Sequence, residues 1–212
     1  MTKKKDIYLA LVSGTLVGLL LSILLSYLGT KRLLIFPVWI LLPLVPVLFT
    51  AGIILGGYLS RRWQFFYSFS KFVAVGFLSA AMDNSIVTLL IVLTGVAKGA
   101  YFPFVRAGGI VVAIINSYIW NKYWAFNAGK TSKKGSEFIK FLAVTFSGML
   151  TNIVLSYLVV SANPLWGLDP KAWANIAAVV GSAGALLVNF TGYRRIVFKP
   201  AKLYDTVDNV NK

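Results

Sequence analysis

Six apolar runs, separated by short polar stretches, dominate the hydrophobic pattern of this chain. Each run is long enough to cross a hydrocarbon core as a helix, which takes about 20 residues. Backbone groups in lipid have to be hydrogen-bonded within the segment, so runs of this length are expected to be helical. The pattern therefore predicts six membrane-spanning helices, at residues 7–28, 33–59, 72–94, 104–120, 141–162 and 172–193.

Two of the predicted spans end in the same sequence pattern. In residues 117–126, and again in residues 189–198, a small polar residue is followed by aromatic residues, then by Lys or Arg, and nine positions on by Phe. Basic, aromatic ends are typical of membrane helices that meet the headgroup layer. We call these two segments the first and the second collar.

An internal repeat connects the two collars. A shift of 72 residues aligns the collars, and a shift of 69 residues aligns residues 69–75 with residues 138–144. Each repeat unit contains two spans, so the chain returns to the same side of the membrane after each unit. The sequence thus predicts two units of the same orientation, related by an axis along the membrane normal.

Composition agrees with a membrane protein and excludes several chemistries. Hydrophobic residues make up 58% of the chain and charged residues 13%, whereas soluble domains have about 45–50% and about 25%. The formal net charge is +15, but the basic residues lie between apolar runs, which favours headgroups over nucleic acid as their counterions. The absence of Cys and His excludes disulfides, thiol and imidazole catalysis and the common zinc sites.

The basic residues are distributed unevenly between the two sides of the predicted spans. Sixteen lie on the side of both termini and five on the opposite side. The positive-inside rule therefore predicts a multi-pass protein of the cytoplasmic (inner) membrane with both termini in the cytoplasm. The five basic residues on the outer side are Lys31, Arg32, Lys98, Arg106 and Lys171.

Three regions of the chain differ in character. Residues 1–62 form a predicted N-terminal transmembrane hairpin, residues 63–199 a four-span domain, and residues 200–212 a disordered cytoplasmic tail with little apolar content. Residues 127–136 are rich in Gly, Ser and Lys and are expected to be a solvated linker. The hairpin carries small residues at a spacing that lets helices approach closely, namely Gly14, Gly18, Gly52 and Gly56.

Proline residues refine the ends of two spans. Pro37, Pro43 and Pro46 fall in the outer half of the second span, which is therefore expected to be kinked or partly interfacial. Asp169 followed by Pro170 predicts the N-cap and the first helical position of the sixth span.

Asp83 is the acidic residue that the pattern places deepest in a span. It follows Lys71 by 12 residues, about 18 Å along a helix, which is close to the midplane of a core about 30 Å thick. Its counterpart in the repeat is Asn152. A carboxylate at that depth costs several kcal/mol unless it is protonated, paired or facing water. Two interpretations stay open: a hydrogen-bonded pair with Asn84, Asn116 or Asn152 that joins the units, or the lining of a substrate path, with or without proton coupling.

Polar and basic residues near the collars suggest chemistry for an anionic sugar lipid. The guanidinium groups of Arg194 and Arg195 suit phosphate because each can bind it in a bidentate way, and amides, hydroxyls and aromatic rings suit a sugar. Arg106, on the sparse outer side, is expected to snorkel or to meet an anionic headgroup. The candidate substrate-binding residues are Asp83, Asn116, Ser117, Lys122, Asn152, Asn189, Arg194 and Arg195.

Several motifs between residues 71 and 198 occur in a specific order and spacing. They are residues 71–76 followed by Asp83, residues 121–126, residues 138–144, and Asn189-Phe190 with residues 194–198. Together these motifs resemble the GtrA-like family of small four-span membrane proteins. The chain departs from that pattern in two ways: Ser117 stands in the first collar where the second has Asn189, and the hairpin of residues 1–62 adds two spans.

The resemblance implies a fold, a function and partners. The implied fold is an all-α polytopic membrane helical bundle, with a four-span core built from two two-span repeats plus the N-terminal hairpin. The implied function is translocation, or flipping, of a polyprenyl-phosphate-linked monosaccharide such as undecaprenyl-phosphate glucose for cell-surface polysaccharide glycosylation. The implied partners are that lipid, the membrane and a glycosyltransferase. The glycine-lined faces of a small bundle, independently of the resemblance, predict association with a second copy of the chain. No cofactor, no nucleic acid and no enzymatic activity are expected.

Two other functions fit parts of the pattern. A non-transporting scaffold that anchors a polyprenyl-phosphate glycosyltransferase is the main alternative, and the hairpin and the basic loops suit it equally well. A small multidrug-type exporter is the other, because such pumps rely on an acidic residue in the first span, the place that Asp83 holds in the four-span domain. The basic collars suit an anionic lipid better than a cationic drug. No Walker-type loop for ATP is present, so a substrate gradient or protons acting through Asp83 would have to drive transport.

Overall fold

The computed structural model describes residues 3–33, 35–129, 134–162 and 169–198. In these residues it contains six helices long and apolar enough to cross a membrane, which confirms the all-α, polytopic fold class. The predicted tail at residues 200–212 and the middle of the predicted linker lie outside the described residues. The helices are α1 (Lys4–Tyr27), α2 (Leu41–Leu59), α3 (Phe65–Thr94), α4 (Phe102–Trp120), α5 (Lys134–Ser161) and α6 (Pro170–Gly192).

The chain divides into two compact units, Met1–Asn127 and Ala128–Lys212. In the first unit, α1 and α2 form an antiparallel hairpin that depends on small residues. A side chain at Gly14 would overlap Pro46, and one at Gly18 would overlap the backbone of Leu41. The missing side chains let the two helices approach closely, as the glycine spacing predicted.

The tip of this hairpin differs from the prediction. Two short antiparallel strands, β1 (Arg32–Leu33) and β2 (Phe36–Pro37), are followed by a 3₁₀ turn at Val38–Ile40 before α2 begins. The helix therefore begins at Leu41 and not at residue 33 as predicted. Proline has no N–H to donate and restricts the residue before it, so the helix starts only after Pro37. Pro46 is inside α2.

Helix α3 packs against both helices of the hairpin and against α4. The core between them is a cluster of Ala10, Ile53, Ala74, Val75 and Trp124. The hairpin thus belongs to the same compact unit as α3 and α4. The close approach of α2 and α3 needs a glycine as well, because a side chain at position 56 would lie 3.0 Å from a backbone oxygen of α3.

The second unit contains α5 and α6. Helix α5 begins at Lys134, so the last residues of the predicted linker are helical, contrary to expectation. At the start of α6 the Asp169 side chain accepts a hydrogen bond of 3.0 Å from the backbone N–H of Lys171, and Pro170 is the first helical residue, which confirms the predicted cap. The indole of Trp173 donates to the Val159 carbonyl at 2.9 Å and so ties the two helix ends together.

The internal repeat is visible inside each unit. Helix α4 continues into a π-helical segment, Asn121–Ala125, and α6 continues into another, Tyr193–Val197. The first segment lies within the first collar and the second within the second collar. The rings of Phe72 and Phe126 lie 6.3 Å apart in the first unit, and their repeat counterparts also lie 6.3 Å apart in the second. Segments of π-helix are rare and are frequent at functional sites.

A second pair of contacts also follows the repeat. A side chain added at Gly109 would lie 2.8 Å from the carbonyl oxygen of Asp83, and one added at Gly181 would lie 2.7 Å from the carbonyl oxygen of Asn152. Shifts of 72 and 69 residues relate these positions. In each hairpin, therefore, the polar residue of the first helix lies against a glycine of the second helix, at matching positions of the repeat.

Candidate functional site

Two polar side chains of α3 find partners on α4. Ser79 and Asp83 are four residues apart and so share a helix face. The side-chain N–H of Asn116 donates to the Ser79 hydroxyl at 2.9 Å, and both residues are buried. Arg106 contacts Asp83. We call Ser79, Asp83, Arg106 and Asn116 the first polar seam.

The Asp83 carboxylate forms a bidentate ion pair with Arg106. The two guanidinium nitrogens donate to its two oxygens at 2.5 and 2.8 Å. Arg106, expected to snorkel or to meet an anionic headgroup, binds Asp83 instead. Two of the amide partners proposed for Asp83, Asn84 and Asn116, bond to other groups. Asn84 instead donates to the Ala80 carbonyl, and Asn116 bonds Ser79. A planar guanidinium matches a carboxylate in shape and charge, which an amide cannot do.

This pair is not fully buried. The side chain of Asp83 is 16% exposed and that of Arg106 is 42% exposed. Gly109 makes the geometry possible, since without a side chain it lets the carboxylate lie against the backbone of α4. The sequence signal for this pair was one acidic residue in the third span and one basic residue in the fourth. The two residues are 23 positions apart on different helices, so the spacing did not show that they meet.

A second charged cluster lies at the basic end of the first unit and was missed in the sequence. The Asp6 carboxylate lies 2.9 Å from the Lys71 ammonium and accepts hydrogen bonds from the Tyr67 hydroxyl at 2.5 Å and from the Trp124 indole at 3.0 Å. We call these four residues the Asp6 cluster. It joins the start of α1 to α3 and to the first collar. The signal was a single acidic residue placed directly after three lysines.

The predicted residues of the first collar lie near its π-helical segment. Ser117 accepts a hydrogen bond of 3.1 Å from the Asn121 side chain. Lys122 is only 1% exposed, and its ammonium donates to the Tyr118 hydroxyl at 3.2 Å and lies 6.0 Å from the centre of the Tyr123 ring. These aromatic contacts shield the Lys122 charge from solvent.

The second unit carries uncharged polar side chains between α5 and α6. Asn152 donates to the Ser182 hydroxyl at 3.3 Å. Asn189 lies against Gly148, and its side-chain oxygen is buried and accepts no hydrogen bond from the described residues. We call Asn152, Ser182 and Asn189 the second polar seam. Because buried polar atoms are nearly always hydrogen-bonded, the Asn189 oxygen has the capacity to accept a bond from a ligand.

The two arginines of the second collar are exposed, and one of them borders a cavity. Arg194 and Arg195 both face outward from the π-helical segment. A cavity of about 520 Å³ lies between α5 and α6 beside Arg195, with mainly apolar walls and two hydroxyls. Its lining residues are Val144, Ser147, Leu187, Val188, Thr191, Gly192, Arg195 and Ile196.

The predicted site residues therefore fall into separate groups. Asp83 and Asn116 share the first seam, Asn152 and Asn189 share the second, and the collars hold the remaining four. The described residues contain no group of three or more His, Cys, Asp or Glu side chains that could hold a metal ion. Apart from the Asp83 carboxylate, which Arg106 binds, the groups present are amides, hydroxyls, guanidiniums and ammoniums, which suit binding of an anionic, hydroxyl-rich molecule.

Six apolar spans with polar seams inside the paired helices define a polytopic α-helical membrane protein with polar groups between its helices. The model of the family described as GtrA/DPMS, transmembrane domain, matches residues 71–198. The chain therefore belongs to the GtrA/DPMS transmembrane domain family, as its motifs indicated. No curated protein and no solved structure matches the chain. Family membership indicates a role in the handling of lipid-linked sugars.

Proposed function

We propose that this protein translocates a polyprenyl-phosphate-linked monosaccharide across the cytoplasmic membrane, with both termini in the cytoplasm, for glycosylation of a cell-surface polysaccharide. The observation that carries the proposal is that polar side chains lie inside both hairpins of a protein from a family linked to lipid-linked sugars, with one pair at matching positions of the repeat. Asp83 and Asn152 are this pair.

The physical requirement for such a carrier is specific. A phosphate and several sugar hydroxyls have to pass through hydrocarbon, where a polar group without a partner costs roughly 2–7 kcal/mol. The two polar seams offer replacement partners along this path. The polyprenyl tail needs none and can remain in lipid throughout.

Each group of candidate residues has a role in this proposal. Arg194 and Arg195 contact the phosphate, and the apolar cavity beside Arg195 accommodates the first part of the tail. Asn189 accepts a hydrogen bond from a sugar hydroxyl, since its oxygen has no donor among the described residues. Asn116, Ser117 and Asn152 provide further amide and hydroxyl groups, and Lys122 supplies positive charge at the first collar. Asp83 and Arg106 line the path as an ion pair.

Reconstituted vesicles provide the test. A radiolabelled short-chain polyprenyl-phosphate glucose is added outside vesicles that contain the protein, and the label that becomes protected inside is measured over time. We expect protected label to accumulate much faster than in protein-free vesicles. Equal rates with and without the protein, for glucose and for other hexose headgroups, would contradict translocation.

A scaffold for a glycosyltransferase is the second candidate, and one observation favours it. Asp83 pairs with Arg106 and Asn116 with Ser79, so the first seam is also suited to holding helices together. A scaffold predicts that a polyprenyl-phosphate glycosyltransferase co-purifies with the protein, and that substitutions at Asn189 or Arg195 leave the cellular polysaccharide unchanged. A carrier predicts loss of the polysaccharide sugar in the same variants.

A further inference from the structure

A second cavity lies at the basic end of the first unit, apart from both polar seams. It has a volume of about 340 Å³ and is formed by the start of α1, the first two turns of α3 and the first collar. This volume is at the small end of the range of about 300–1,000 Å³ that holds small ligands. Its charged and aromatic lining residues are Lys3, Lys5, Asp6, Tyr67, Lys71, Tyr123, Trp124 and Phe126.

The cavity carries an excess of positive charge. Three lysines and one carboxylate line it, which leaves two positive charges more than negative ones. The carboxylate, Asp6, is already bound by Lys71, Tyr67 and Trp124. Lys3 and Lys5 are exposed, so their ammonium groups can reach an anion that enters the cavity.

The Asp6 cluster holds the cavity in shape. The Tyr67 hydroxyl donates to Asp6 and also accepts a hydrogen bond of 3.2 Å from the backbone N–H of Lys3. The chain before α1 is thereby fixed against α3, and Lys3 and Lys5 are held at the entrance. The cavity therefore depends on the N-terminal hairpin, which lies outside the part of the chain that matches the family model.

We propose that this cavity binds the phosphate group of the lipid-linked sugar before translocation, with Lys3 and Lys5 as the phosphate contacts. The proposal rests on the proposed function and gives the hairpin a role, because the hairpin completes the entry site. Tyr123 is 51% exposed and offers a ring face next to the lysines. A cationic pair beside an exposed ring suits a phosphate joined directly to a sugar, since sugars stack on aromatic rings.

Binding measurements on the full chain test this site. The protein is placed in nanodiscs of zwitterionic lipid, and binding of a short-chain polyprenyl-phosphate glucose is followed by calorimetry at low salt. We expect Lys3→Gln and Lys5→Gln each to weaken binding about three- to tenfold, the range for one charge-assisted contact at a partly exposed site. Lys5→Arg should retain most of the affinity, because the positive charge is kept.

Lys4 provides a matched control. It lies between the two proposed contacts and carries the same charge, but it does not line the cavity. Lys4→Gln should therefore leave the affinity close to that of the wild type. If Lys4→Gln weakens binding as much as Lys5→Gln, or if none of the three does, the site assignment is wrong. Circular dichroism and thermal melts of each variant establish that the fold is retained.

Competition separates the possible sources of the phosphate. Polyprenyl phosphate and inorganic phosphate should both compete, because both present the group that the lysines recognise. Polyprenyl phosphate should compete strongly and inorganic phosphate weakly, because inorganic phosphate lacks the polyprenyl tail. Competition by phosphatidylglycerol as strong as that by polyprenyl phosphate would overturn the assignment to a carrier lipid. This assay measures binding and not transport. If binding depends on Lys5 but the protein does not translocate the lipid, only the proposed function is contradicted. Translocation that is unaffected by Lys3→Gln and Lys5→Gln would contradict only this site.

Discussion

The guanidinium of Arg106 donates two hydrogen bonds to the carboxylate of Asp83, at 2.5 and 2.8 Å. This ion pair connects α3 to α4, as does the hydrogen bond from Asn116 to Ser79. A charge pair within a membrane span is expensive unless both members stay together. Either residue alone would therefore be a liability, and the pair is expected to behave as one unit.

Breaking this ion pair should cost more than removing it. Asp83→Asn or Arg106→Gln leaves one charge without its partner and should lower the free energy of unfolding by about 1–3 kcal/mol. This is less than the roughly 3–5 kcal/mol expected for a fully buried pair, because the Arg106 side chain is 42% exposed. The double variant should recover part of this loss. Thermal melts in detergent, arranged as a double-mutant cycle, measure the coupling, and additive losses would show that the two side chains do not act together.

The ion pair of Asp6 with Lys71 should contribute more to stability than that of Asp83 with Arg106. The side chains of Asp6 and Lys71 are 6% and 8% exposed, so Asp6→Asn should cost about 3–5 kcal/mol. Hydrogen exchange should increase in α1 first, because the cluster fixes its start. Tyr67→Phe removes one hydrogen bond and should cost about 1 kcal/mol. A melt of Asp6→Asn that matches the wild type would contradict this account.

Glycines at the closest helix contacts should not tolerate alanine. A methyl group at Gly109 or Gly181 would overlap atoms of the facing helix, including the carbonyl oxygens of Asp83 and Asn152. Each substitution should destabilise the protein by about 1–3 kcal/mol through overpacking. Gly76 has no heavy atom within 4 Å of the added methyl, so Gly76→Ala should be neutral or should stabilise α3 by up to about 1 kcal/mol.

The N-terminal hairpin offers the same comparison within one motif. At Gly56 an added methyl would overlap the Ser70 side chain, whereas at Gly52 it would meet nothing within 4 Å. Gly56→Ala should therefore lower the melting temperature, and Gly52→Ala should leave it nearly unchanged. Equal effects of the two substitutions would show that the contact of α2 with α3 is looser than the structure indicates.

Two asparagines should separate stability from transport. Asn116→Ala leaves the buried Ser79 hydroxyl without its donor and should cost about 1–3 kcal/mol of stability. Asn189→Ala removes a side-chain oxygen that has no donor among the described residues, so stability should change little. Translocation by Asn189→Ala should nevertheless fall about tenfold, the effect of one lost hydrogen bond to substrate of about 1.4 kcal/mol. Normal transport by a stable Asn189→Ala protein would remove this residue from the path.

The parts of the fold that the sequence predicted well are those governed by local rules. Hydrophobic length gave the six spans, and the cap at Asp169 and Pro170 formed as expected. The two collars were recognised from their shared aromatic and basic pattern, and both proved to be π-helical. Their π-helical geometry could not be read from the residues, because a change of hydrogen-bond register inside a helix has no strong compositional signal.

The parts that were missed or wrong are those that depend on which helices meet. Asp83 was identified as important from its depth alone, but its partner was sought among amides because Arg106 was assigned to the membrane surface. Asp6 was overlooked, although it binds a lysine of α3 and a tryptophan of the first collar. Sequence spacing cannot reveal such pairs, since their members are 23 to 118 positions apart.

The sequence alone determined that this chain spans a membrane, how many times it does so, that it contains a repeat and to which family it belongs. The number of spans follows from the free energy of placing side chains in hydrocarbon, which is summed along a single helix and needs no knowledge of its neighbours. The repeat and the family follow from the order and spacing of residues along the chain. Only the tertiary structure decided that Asp83 pairs with Arg106 and that Asp6 joins α1 to α3. Those pairings depend on which helices approach each other closely, and for Asp83 and Arg106 that approach requires Gly109 of α4.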